Sequence, residues 1–372
     1  MKAVSSPTLA LFSLCSILLA SAVAQFPAAA TAFEIRSSVA IKPDDPALFY
    51  SGRILRDGDR QVTLGWSGAR VCLRFTGTSV AMRMTDDTRD NFVLVWVDGK
   101  PLEKIRLDSP AGVYPVAAGL KPGEHTLEVV RVTECFLGQT HFRGFDLDDT
   151  GVALPWPPQP DRRILFIGDS ITCGYGVEVN DPKQNFAAST ENFCEGYTGL
   201  TVRALKADYQ VVARSGIGMV RNYDGPFEGN ADAMPSVYPH LFYQVETPLW
   251  NPAQFIPQVI CVNLGTNDFS TKGVNQEKFV TTYVDFAGKL AAEYPQARLV
   301  LLQGPMDNSE ALHHALRRIQ DSLAKNHPGR VTFFALSHQG EVGFGASYHP
   351  NREQSHRNAA ELTGYLAKLM GW

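Results

Sequence analysis

Arg163-Ile164-Leu165-Phe166-Ile167-Gly168-Asp169-Ser170-Ile171-Thr172-Cys173-Gly174-Tyr175-Gly176 is the stretch on which the reading of this chain turns. Its first half is a short apolar run that stops abruptly at Gly-Asp-Ser. An apolar run of that length, ended by glycine, reads as a buried strand of an α/β sheet. Open α/β sheets take ligands just past the carboxyl ends of their strands. Ser170 stands at such an end, with its hydroxyl exposed and backbone N–H groups nearby. Asp and Ser are also common helix caps, so the tripeptide alone supports a cap as well as a nucleophile.

Downstream, strands alternate with helices. Tyr197 to Ala207 has helical spacing, and Tyr209 to Ala213 and Val259 to Asn263 read as strands. Gln276 to Tyr294 is a long amphipathic helix with Phe279, Tyr283, Phe286 and Leu290 on one face. Arg298 to Leu302 is a strand, Asn308 to Asn326 a helix, Val331 to Ala335 a strand, and Asn351 to Leu369 a closing helix. Repeated βα units imply a three-layer α/β domain with a mostly parallel sheet over 161–372. Residues 218–258 are rich in Pro, Tyr, Trp and Asn and show little periodicity. A loop of that length usually wraps a functional site.

Upstream the pattern differs. Gln61 to Trp66, Ala69 to Phe75 and Ser79 to Met84 alternate, Asn91 to Val97 runs into an Asp98-Gly99 hairpin turn, and His125 to Val132 alternates again. Short strands spaced by Gly and Pro turns predict an antiparallel β-sandwich over 33–154. Trp66 and Trp96 lie on these strands and read as core rather than as sugar platforms. Residues 155–160, Pro-Trp-Pro-Pro-Gln-Pro, form a stiff linker. Residues 1–24 read as an export signal. Lys2 supplies charge, Leu9 to Leu19 is too short to span a bilayer, and Ala22-Val23-Ala24 is a cleavage site. The expected mature protein is secreted or periplasmic and free of the membrane.

The formal net charge is −4, and no basic block offers a nucleic-acid surface. No cysteine or histidine spacing resembles a metal site, so neither metal nor other cofactor is expected. Export permits disulfides. Cys173 and Cys194 flank one loop region and are the candidate pair, while Cys261 reads as a buried thiol.

Four loops gather the chemistry. Gly168-Asp169-Ser170 comes first, then Ser215-Gly216-Ile217-Gly218, then Gly265-Thr266-Asn267-Asp268, then Tyr348-His349-Pro350 before the last helix. In a parallel sheet the first three leave the same edge. These blocks, in this order, resemble the SGNH hydrolase superfamily. With the strand-rich domain, the Pro-rich linker, Glu191-Asn192 and Gly196-Tyr197, the chain looks like carbohydrate esterase family 2. The resemblance implies a jelly roll followed by a hydrolase domain, and removal of O-acetyl groups from plant polysaccharides such as xylan or glucomannan.

Ester cleavage needs a nucleophile, a base and a site for negative charge. Ser170 supplies the first and His349 the second. The oxyanion donors are the backbone N–H groups of Ser170 and Gly218 and the side-chain amide of Asn267, with Gly216 as the alternative glycine. His338 and His356 compete for the base role, but His349 opens a helix at Pro350-Asn351. The superfamily usually carries Asp two or three residues before its His, and here those positions hold Ser347 and Ala346. A main-chain carbonyl near 345–347 is therefore expected to orient the imidazole, and Glu341 is the nearest upstream acid. Tyr348, Trp250 and Tyr238 are candidate sugar contacts. Two other readings are a glycan-binding protein with a decayed hydrolase domain, and a lipase or thioesterase on the same scaffold.

Overall fold

Five apolar runs pair side by side in the computed structural model, which describes residues 38–159 and 161–372. The expected export signal lies outside the described residues. The strands Arg163–Gly168, Asp208–Ala213, Val259–Asn263, Arg298–Gln303 and Val331–Ala335 are all parallel. Their order in the sheet is 208–213, 163–168, 259–263, 298–303, 331–335. The sheet grows one way from 163–168 and then the other, so the order reverses between 163–168 and 259–263. Such a reversal opens a crevice at the carboxyl ends of the two strands. Gly168 pairs in register with both Ala213 and Asn263, so three of the four chemistry-bearing loops leave the sheet at one level.

Continuous apolar runs are needed because both faces are covered. Leu165, Ile167, Ile260 and Val262 pack with Phe279, Tyr283, Phe286 and Leu290 of the Gln276–Glu293 helix and with Leu312 and Leu316 of the Glu310–Asn326 helix. Ile164, Phe166, Val259 and Cys261 face the other way, onto Val202, Leu205, Leu362 and Leu366 of the Tyr197–Leu205 and Arg352–Met370 helices. Three of these helices start at a side-chain cap: Asn275, Ser309 and Asn351 accept from the N–H groups of Lys278, Leu312 and Gln354.

The amino-terminal part is a sandwich of two antiparallel sheets. Arg70–Thr76, Phe92–Val97 and Glu124–Arg131 lie in one, Val80–Asp86 and Thr140–Asp148 in the other. Val71, Leu73 and Phe75 pack in one core with Met82, Met84, Phe142 and Phe145. Asp98 and Gly99 both have positive φ, as a tight hairpin turn requires.

The sandwich does not hang from its linker. Leu94, Val130 and Val132 share a core with Ile164 and Tyr197, and Trp66 and Cys135 share one with Leu165 and Ile217. Trp66 is buried and its Nε1–H donates to the Leu241 carbonyl at 2.7 Å. Trp96 lies under the Arg203 guanidinium, 3.6 Å from the ring centroid. Both tryptophans are packing residues, but they pack the seam between sandwich and α/β domain.

One expectation fails here. Cys173 and Cys194 are free thiols, as are Cys72, Cys135 and Cys261. Cys173 faces the Glu134 and Glu191 carboxyls, whereas Cys194 faces Arg203 and Glu128. The turn that brings their segments together points the two sulfurs into different surroundings. No helix among the described residues is long and apolar enough to cross a membrane.

Candidate active site

Ser170 opens a four-residue helix, Ser170–Cys173, directly behind its strand. Asp169 caps it, with Oδ1 accepting from the Ile171 N–H at 3.0 Å. Capping and a nucleophile are thus both present, one residue apart. Burial pushes the Asp169 carboxyl up to about 7, against the pull of the Ile171 N–H. The Ser170 hydroxyl lies 2.8 Å from His349 Nε2.

The other ring nitrogen, Nδ1, lies 3.1 Å from the Ala346 carbonyl and 3.2 Å from the Ser347 carbonyl. No Asp or Glu oxygen bonds to it among the described residues. A proton on Nδ1 leaves Nε2 free to accept from Ser170. The convergence of two successive carbonyls requires unusual backbone. Ser347 and Tyr348 have φ of 48° and 60°, a left-handed conformation that non-glycine residues seldom adopt. Ala346 cannot be an acid because it is fully buried, with its Cβ 2.4 Å from where a Cβ on Gly176 would sit. Ser347 Oγ turns away, toward the Tyr175 hydroxyl and the Gln184 carbonyl. Glu341 pairs instead with Arg357, at 2.9 Å. The Tyr175 ring stacks on the imidazole with centroids 4.0 Å apart. Burial lowers the His349 pKa to about 4, the two carbonyls opposing the shift.

The oxyanion donors need one correction. The Gly218 N–H is taken by Asn222 Oδ1 at 3.1 Å, and Gly218 is outside the lining of the cavity. Glycine is required there for space, since a Cβ would sit 2.0 Å from the Arg221 carbonyl. Gly216 lines the cavity beside Ser170, and neither N–H has a hydrogen-bond partner among the described residues. Asn267 lines the same cavity; its amide donates to the Ile217 carbonyl at 2.9 Å and, by a longer bond of 3.4 Å, to Asp169 Oδ2, and the second hydrogen is the one an oxyanion would draw away. Asp268 accepts from the N–H groups of Met219, Val220 and Arg221 at 2.7–2.9 Å and so shapes the loop that carries these glycines.

The cavity has a volume of 510 Å³. Tyr223, Met306 and Asp307 line it; none was singled out from the sequence. Tyr223 is 62% exposed and comes from the long 218–258 loop. Tyr238 and Trp250, from the same loop, are buried and hold the Arg53 guanidinium between them, 4.8 and 5.2 Å from their ring centroids. They face the seam with the sandwich, not the cavity. Tyr348 is exposed, packs edge-on against Phe344 and lies outside the cavity lining. His338 is exposed, and the nearest acid to His356 is Glu195. Glu134, Cys173 and Glu191 bring possible metal-ligand atoms within 4.8 Å of one another, although no spacing in the sequence suggests such a set.

Residues 50–157 match the family model described as carbohydrate esterase 2 N-terminal, and residues 166–357 match the GDSL-like lipase/acylhydrolase family. The fold is similar to that of a family two carbohydrate esterase from Clostridium thermocellum in complex with cellohexaose. The TM-score is 0.83 at 31% identity, over 87% of this chain and 99% of that one. This chain belongs to carbohydrate esterase family 2. Within the family it is 32% identical to the cellulase/esterase CelE of Acetivibrio thermocellus over 88% of its own length, and spans 40% of that protein. It is 29% identical to an acetylxylan esterase/glucomannan deacetylase of Cellvibrio japonicus, over 90% of this chain and 92% of that one. The two family models divide the chain near the Pro-rich segment, which separates the sandwich from the α/β sheet.

Proposed function

We propose that this chain removes O-acetyl groups from an acetylated plant polysaccharide, xylan or glucomannan, through an acetyl-enzyme on Ser170. The observation that carries the reading is the 2.8 Å approach of Ser170 Oγ to His349 Nε2. Ser170 Oγ attacks the acetyl carbonyl carbon while His349 Nε2 takes the hydroxyl proton. The carbonyl oxygen becomes an oxyanion facing the N–H groups of Ser170 and Gly216 and the Asn267 amide. When the tetrahedral adduct collapses, the bond to the sugar oxygen breaks and His349 returns its proton to that oxygen. Water then attacks the acetyl-serine, His349 takes its proton, and acetate leaves as Ser170 is reprotonated.

Ser270 and Asp307 in the lining offer hydrogen-bond partners to the hydroxyls of a sugar chain. Tyr223, exposed at the rim, offers a face to a sugar ring. Export is part of the proposal, supported by the amino-terminal signal pattern. The test is acetate release from acetylated xylan and acetylated glucomannan, set against hydrolysis of long-chain esters. Release from at least one polysaccharide, with little long-chain cleavage, is expected. Preference for the long-chain ester, or binding of glycan without acetate release, would overturn the reading.

A further inference from the structure

Behind the oxyanion loop lies a buried pair of acids that the steps above do not use. Glu134 follows the Glu124–Arg131 strand of the sandwich, and Glu191 sits in the α/β domain. Both side chains are fully buried. Glu134 Oε2 accepts from the Ser215 N–H at 2.6 Å, and its Oε1 accepts from the Ser215 hydroxyl at 2.5 Å. The Cys173 thiol, three residues after the nucleophile, lies 4.0 Å from Oε2. The Glu134 N–H donates to Glu191 Oε2 at 3.0 Å. Arg131 is also buried and fixes the backbone of this turn, but its donors go to the carbonyls of Leu64, Thr133, Glu134 and Gly138. No cation forms a salt bridge with either acid among the described residues.

Two buried carboxyls so close cannot both be ionised without a cation between them. Both oxygens of Glu134 hold donors from Ser215, which fits the ionised form. Glu191 Oε1 has no partner among the described residues, which fits the neutral one. Burial raises both carboxyls; the Ser215 donors and the Arg214 charge oppose the rise at Glu134, whereas the charge of Glu134 adds to the rise at Glu191 and puts it well above the usual carboxylate range.

Ser215 is covalently joined to Gly216, which lines the Ser170 cavity and whose N–H has no partner among the described residues. Gly216 has a φ of 75°, and its own carbonyl accepts from the Tyr223 N–H at 2.8 Å; on the other side, the peptide that carries its N–H is held through Ser215. We propose that Glu134 is a positioning residue for the esterase reaction, clamping Ser215 so that the Gly216 N–H faces the ester carbonyl oxygen. The inference rests on the Ser170–His349 reading. It makes the sandwich a structural part of the active site: one of its acids reaches across the seam and sets an oxyanion donor. Glu191 is the neutral partner that lets this charge stay buried.

The test uses the full chain with an aryl acetate, whose leaving group needs no proton. Glu134→Ala, Glu134→Gln and Glu134→Asp are compared with wild type for kcat and KM, after thermal unfolding and the final extent of fluorophosphonate labelling have counted the folded, competent sites. Glu134→Ala is expected to lose about 10²-fold in kcat, the scale of one oxyanion donor, with KM within about threefold. Glu134→Gln keeps an acceptor for the Ser215 N–H and is expected to recover at least about tenfold of that loss. A folded Ala variant with kcat within about threefold of wild type, or a loss confined to KM, overturns the proposal. If the Ala variant does not fold, Asp, which withdraws the acceptor by one methylene, is expected to fall about tenfold or more below Gln in kcat. Equal kcat values for Asp and Gln would overturn the proposal. Ser170→Ala, run alongside, separates the two readings: activity in that folded variant removes the serine mechanism itself, whereas an inactive Ser170→Ala beside a normal Glu134→Ala removes only the positioning role.

Discussion

Opening the cover over His349 is the most informative perturbation. The imidazole is shielded by the Tyr175 ring at 4.0 Å, and burial lowers its pKa to about 4. A base must be neutral to accept a proton, so kcat/KM falls as pH drops through the pKa of the free enzyme's His349. With a pKa of about 4, about 0.9 of the enzyme holds a neutral imidazole at pH 5; with an unperturbed value near 6.5, only about 0.03 does. The difference is about 30-fold in kcat/KM at that pH. Wild type is therefore expected to keep most of its activity at pH 5 and to lose it near pH 4. Tyr175→Ala admits water to the ring and is expected to move that limb upward, toward 6.5. Burial also pushes the Asp169 carboxyl up to about 7, clear of a limb near 4 but overlapping one near 6.5, so both enzymes are also measured with Asp169→Asn, which keeps a capping side chain. The assay is kcat/KM for an aryl acetate at constant ionic strength from about pH 3.5 to 8. A wild-type limb near 6.5, or a Tyr175→Ala limb that does not rise, would refute the account of this histidine.

Asn267→Ala is expected to lower kcat by about 10²–10³-fold with little change in Tm, checked by steady-state kinetics beside a melting curve. Gly218→Ala is expected to lower Tm more than Gly216→Ala does, because the added Cβ meets the Arg221 backbone carbonyl at 2.0 Å at 218, whereas at 216 it has room and costs only about 1–2 kcal/mol for a left-handed backbone. Trp250→Ala is expected to destabilise by about 3–5 kcal/mol in denaturant unfolding and to leave KM for polysaccharide alone, while Tyr223→Ala raises that KM without changing stability.

The strands of the α/β domain were legible because a doubly covered sheet demands unbroken apolar runs, and those runs end at Gly168, Ala213 and Asn263 in one register. Ser170 and His349 could be named because one follows such an end and the other opens the last helix. The carbonyl support of His349 was legible too, since neither Ala346 nor Ser347 can supply an acid. Choosing between Gly216 and Gly218 could not be done from sequence. Both sit in one loop, and only the fold reveals that Asn222 occupies the Gly218 N–H. Tyr238 and Trp250 looked like sugar platforms because Arg53, which they enclose, lies far away in the chain. Tyr175 has only the pattern Gly-Tyr-Gly to mark it in the sequence; the positive φ of Gly174 and Gly176, which places its ring, belongs to the fold. The free thiols show that closeness of two segments does not fix where their sulfurs point.

The central claim is that Ser170 carries the acetyl group. It is tested most directly by acid-quenching the enzyme during turnover of an aryl acetate and locating the adduct by peptide mass spectrometry. The account expects acetyl on the peptide containing Ser170, and neither adduct nor turnover in a folded Ser170→Ala variant. An acetyl group on another residue, or near-normal turnover by that variant, would contradict it.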